Sequence, residues 1–135
     1  AAYNRLDYDS ALKYALNADK LSRENGSKHL LARSKYRNAT VYINRGEYEL
    51  ARAELDSAIT LSTQANDSIM LLASKIGQGR LSKQNSNFDR AVPELFSALE
   101  LAEIMDDKNA QARIKNYLAS IYHYQSQYDL SIRYY

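Results

Sequence analysis

Gly46-Glu47-Tyr48-Glu49-Leu50-Ala51-Arg52-Ala53-Glu54-Leu55-Asp56-Ser57-Ala58-Ile59-Thr60-Leu61 decides the fold, because its pattern returns along the chain. An aromatic followed by an acid stands at Tyr8-Asp9, Tyr48-Glu49, Phe88-Asp89 and Tyr128-Asp129, each pair 40 residues after the one before. Three residues past each aromatic comes Ala11, Ala51, Ala91 or Ser131. The first three runs continue as Ala15, Ala18, Leu21, then Leu55, Ala58, Leu61, then Leu95, Ala98, Leu101. A fixed period of self-similarity means one supersecondary unit stacked repeatedly, each unit burying its apolar face against its neighbours.

Each unit divides into two segments of helical periodicity joined by the polar turns Arg45-Gly46-Glu47, Asn85-Ser86-Asn87 and Gln125-Ser126-Gln127. Helices are expected at about 8–25, 28–45, 48–65, 67–85, 88–105, 107–125 and from 128 onward. In second helices, Ala11, Ala51 and Ala91 recur with Ala18, Ala58 and Ala98 seven residues on, which keeps small side chains on one face for close approach. First helices carry Ala39, Gly79 and Ala119, followed two residues later by Val41, Leu81 and Ile121, and these too are read as close packing. Pro93 falls early in its helix, where the missing N–H is tolerated at the cost of a slight kink. The expected class is all-α, one array comprising a part-repeat 1–27, repeats 28–67 and 68–107, and a part-repeat 108–135. Both ends read as cut, so a fragment of a longer protein is expected, with self-association through those ends as a second way of covering them.

The chain of 135 residues has no cysteine, which removes disulfides, thiolate metal ligands and cysteine nucleophiles from consideration. No segment is apolar enough to span a bilayer, no signal segment opens the chain, and the compartment is left open.

The run from Gly46 through Tyr48, Ala51, Leu55, Ala58 and Leu61, preceded by Ala39 and Tyr42, resembles the tetratricopeptide (TPR) repeat, as do Ala119 and Tyr122 leading to Gln127-Tyr128-Asp129. The period of 40 makes it resemble the lengthened variety. Two departures stand out: Lys35, Lys75 and Lys115 occupy the place of an early bulky residue, and Asn38 and Gln78 stand where leucine is common. The resemblance implies a right-handed superhelix of antiparallel hairpins, an α-solenoid, without enzymatic activity or cofactor. It also implies a scaffold binding peptides or partner proteins, as in the sensing or docking part of a larger bacterial signalling or transcription-regulatory protein.

A second regularity is electrostatic. Windows 28–45, 68–85 and 108–125, the first helices, contain none of the 16 acids, yet they hold 11 of the 18 bases: Lys28, Arg33, Lys35, Arg37, Arg45, Lys75, Arg80, Lys83, Lys108, Arg113 and Lys115. Burial alone would have removed bases as well. Ion pairing between a basic and an acidic layer is one explanation, with each exposed pair contributing about 0–1 kcal/mol. A groove that attracts anions is the other.

Carrying the family's groove-lining pattern onto this chain selects Arg33, Tyr36, Arg37, Thr40 and Asn44, then Arg80, Lys83 and Gln84, then Arg113, Asn116, Tyr117, Ser120, His123 and Tyr124. Arginines grip carboxylates bidentately, amides bond a peptide backbone, and tyrosines offer rigid area with a polar tip. The partner this implies is an acidic or phosphorylated peptide or protein. The family's carboxylate clamp of paired lysines and asparagines is not reproduced in its usual order. Tyr42, Tyr48, Tyr122 and Tyr128 are assigned instead to packing between repeats. His29 and His123 lack metal-ligand spacing, Gly77-Gln78-Gly79 lies within a helical run and not after a strand, and nucleic acid is not the expected partner. The rival to a binding scaffold is a structural spacer whose ends stack on further repeats.

Overall fold

A computed structural model describes residues 27–134, with side chains to residue 129. The expected helix 8–25 and the residues Ala1 to Arg5 and Tyr135 lie outside the described residues. Within them are five helices: α1 (Lys28–Asn44), α2 (Tyr48–Gln64), α3 (Ser68–Gln84), α4 (Phe88–Ile104) and α5 (Lys108–Tyr134), with no strand among the described residues. The first four are each 17 residues long. No helix among the described residues is long and apolar enough to cross a membrane.

One device makes all four turns. Gly46, Asn66, Ser86 and Asp106 take positive φ, at 76°, 54°, 59° and 54°. In each case the next residue donates its N–H to a carbonyl five residues back: Glu47 to Tyr42, Asp67 to Ser62, Asn87 to Ser82 and Asp107 to Ala102, at 2.8–2.9 Å. This is the Schellman closure, in which a left-handed residue lets the last carbonyls of a helix find partners. The left-handed residues are 20 apart, so the period of 40 is two helix-plus-turn halves. Asp67 and Asp107 then cap the next helix, accepting from the amides of Met70 and Ala110 at 3.1 and 3.0 Å. Some acids therefore stop at the edge of the first helices because their task is to cap them.

A backbone change at these turns has a defined sign. No atom lies within 4 Å of a Cβ built on Gly46, so Gly46→Ala should lose about 1 kcal/mol of stability for conformational reasons alone. Ser86→Gly should gain roughly half as much, and urea unfolding of the two variants measures both.

The interior is two clusters that share α3. Ala39, Ile43, Ala51, Leu55 and Leu81 form the first, with Tyr36, Tyr42 and Tyr48 packed against it. Leu72, Ile76, Ala91, Leu95, Ala98, Ala102, Ala110, Ile114, Leu118 and Ile121 form the second. Between these clusters α3 is buried widely around its circumference and uses small residues to allow it: a Cβ on Gly79 would collide with the Leu95 side chain, and one on Gly77 would touch Leu55 and Tyr36. Pro93 lies inside an α4 that runs on unbroken.

Three expectations are corrected. The turn at Gln125-Ser126-Gln127 does not form, and α5 continues in place of a new helix from 128. Ser126 stands where Gly46 and Ser86 turn left-handed, a conformation that costs a non-glycine residue about 1–2 kcal/mol. Its neighbours are glutamines, good helix formers, where Ser86 has asparagines, which favour turns. Ala119, unlike buried Ala39 and Gly79, is exposed, and so is Val41, unlike Leu81 and Ile121. Tyr42 and Tyr48 pack as expected, but Tyr122 and Tyr128 remain 48% and 59% exposed. The lysines that stand in place of an early bulky residue make polar contacts instead: Lys35 pairs with Glu54 of α2 at 3.6 Å, and Lys75 donates to Ser97 of α4 at 3.0 Å.

Candidate functional site

Arg33, Tyr36, Arg37 and Thr40 are spaced i, i+3, i+4 and i+7, which puts them on one face of α1. The structure brings these four together. With Val41 and Met70 of α3 they line an open cleft of about 370 Å³. Tyr36 is half-buried, and its ring lies beside Gly77 of α3. Thr40 donates its hydroxyl to the Tyr36 carbonyl at 3.2 Å. Arg33 and Arg37 are exposed at the cleft, above an apolar contribution from Tyr36, Val41 and Met70.

The cleft has a counterpart 40 residues on, between α3 and α5. Ala73, Ile76 and Ala110 take the places of Arg33, Tyr36 and Met70 there, and Ile69, Leu72, Met105, Asp107 and Arg113 complete a smaller cavity of about 140 Å³. Its lining is more apolar, with Arg113 as its base. Beside it Lys83 of α3 sits over the Tyr117 ring of α5, 5.8 Å from the centroid, so two further expected residues meet each other. Arg80 is half-buried, and its Nε is shielded from solvent without a hydrogen-bond partner.

The remaining expected residues are not gathered into this cleft. Asn44 and Gln84 are exposed near the C-terminal ends of α1 and α3, and Asn116 and Ser120 are exposed on α5. His123 is exposed and lies 3.3 Å from the Gln127 amide of its own helix. Tyr124 is set apart from Arg33 and Arg37: its ring packs on Phe88 of α4, in a different cavity. Residue reading missed Met70 and Val41 as cleft residues, though Met70 recurs with Leu30 and Ala110 at the same interval, and Val41 had been assigned to packing.

Charge pairing is sparse in the first helices among the described residues. Of the eleven bases in the first helices, only Lys35 and Lys108 have a carboxylate within ion-pair distance among the described residues, and Lys108 pairs with Asp106 in the adjoining turn. Arg33, Arg37, Arg80, Lys83 and Arg113 are left without an acid among the described residues. Among the described residues, interlayer ion pairing engages only Lys35 of these bases. No family model, no curated protein and no solved structure matches the chain.

Proposed function

We propose that this chain is a non-enzymatic, TPR-like scaffold, a right-handed superhelix of hairpins, that binds an acidic or phosphorylated peptide or partner protein along its first helices. One observation carries the reading. Arg33 and Arg37 share an open cleft with a partly apolar wall, and no acid of the described chain neutralises them. An anionic segment laid there would gain charge-assisted hydrogen bonds, and field focusing in the cleft would speed its capture. A place in a larger signalling or transcription-regulatory protein is the setting such a scaffold suits.

Acidic and basic peptides of equal length should separate clearly in stopped-flow binding. Reversing both charges, Arg33→Glu with Arg37→Glu, should slow association of the acidic peptide by about tenfold or more at low salt, with helicity retained. Added salt should narrow the gap. Equal binding of acidic and basic peptides, or salt-independent rates, would remove the proposal. A spacer is the second reading, favoured by the exposure of Ala119 and Tyr122 on α5; on that reading the charge reversals leave partner binding untouched.

A further inference from the structure

Two clefts in this fold are related by the repeat, and among the described residues only one is lined by cations. The first lies where Tyr48 and Glu49 begin α2. Arg52 of α2 and Arg90 of α4 line it with them, leaving about 220 Å³. Forty residues on, Phe88 takes the place of Tyr48, and Val92 and Leu130 take the places of the two arginines in the sequence. The corresponding cleft measures about 580 Å³ and is lined by Ser86, Phe88, Tyr124, Gln125, Tyr128 and Asp129. Among the described residues no base lines it.

What lines it is suited to a cation. The Phe88 and Tyr124 rings meet with centroids 5.2 Å apart and planes inclined by 57°, so they form two walls at an angle. Tyr128 follows Tyr124 by one helical turn on the same side of α5, and Asp129 adds a carboxylate at the edge. Aromatic faces attract cations through their quadrupole, and a guanidinium, planar and weakly hydrated, stacks on them better than an ammonium does. In the neighbouring cleft Arg52 and Arg90 are themselves part of the lining.

We infer that the Phe88–Tyr124–Tyr128–Asp129 cleft is a second binding site, which takes an arginine side chain presented by a partner chain. It is separate from the basic cleft and opposite to it in charge preference.

The test is an amide NMR titration with a capped Gly-Arg-Gly peptide and its citrulline counterpart, in which a neutral urea replaces the guanidinium. The arginine peptide should shift Ser86, Phe88, Gln125 and Tyr128 and bind about fivefold more tightly than the citrulline one. Tyr124→Ala and Asp129→Asn should each weaken it about two- to fivefold, whereas Arg33→Glu with Arg37→Glu should leave it unchanged. That last arm separates failure of this site from failure of the basic cleft. Equal affinity for the two peptides, or shifts confined to the basic cleft, overturns the inference. So does a break in helicity at residues 125–127, since Tyr128 and Asp129 would then leave the cleft.

Discussion

Leu95→Ala should lower the free energy of unfolding by about 4 kcal/mol, in the upper part of the range for such truncations. Leu95 is fully buried and fits against Gly79, so the space it vacates is bounded by helix backbone, which cannot move in to fill it. The converse change puts a methyl group where there is no room. Gly79→Ala gains about 1 kcal/mol of helix propensity, yet its Cβ overlaps the branching carbon of Leu95 as well as a terminal methyl, so overpacking should offset or exceed the gain. The two changes are therefore coupled. In the double variant the new methyl partly refills the cavity, and the combined loss should fall short of the sum by about 1 kcal/mol or more. Urea unfolding of the four proteins measures it, and strict additivity would show that Gly79 and Leu95 do not define each other's space.

That pair also shows what repetition makes legible. Gly79 shares its position with Ala39, and Leu95 shares its position with Leu55, so the period alone marks both as contact residues. The bounds of α1 to α4 were readable within a residue or so for the same reason, each of these half-units being 17 helical residues and a turn. The period misleads at Ser126. A left-handed serine persists only when the helix beyond it gains enough burial, a tertiary quantity that spacing does not contain. The basic cleft was legible where helical spacing acts within one helix, as in Arg33, Tyr36, Arg37 and Thr40. Tyr124 falls outside that cleft because it lies at the position of Asn44 and Gln84, a turn beyond Thr40, where α5 faces Phe88.

Least legible was the polar network of Arg52, Ser82 and Glu94 that ties α2, α3 and α4 together, and breaking it has the second largest expected effect. Arg52 of α2 donates to Glu94 of α4 at 2.7 Å and to Ser82 of α3 at 2.5 Å, and Ser82 donates to Glu94 at 2.5 Å. Nothing in the period announces it: Val92 and Tyr122 stand where a copy would need Arg52 and Ser82. Ser82 is 1% exposed, and the Arg52 and Glu94 side chains are 18% and 17% exposed, so the ions are largely withdrawn from water. Glu94→Ala should therefore cost about 1–3 kcal/mol, most of it from the Arg52 charge left without its partner. Arg52→Met combined with Glu94→Leu should recover much of that loss, because removing both charges removes the desolvation penalty. Added salt should weaken the network far less than the Lys108–Asp106 pair, whose side chains are both 79% exposed. Because the network joins helices of both core clusters, its loss should also reduce their coupling, which in a stacked array appears as a shallower unfolding transition. A Glu94→Ala variant that loses less than about half a kcal/mol and unfolds as sharply as the parent would place this network with ordinary surface pairs.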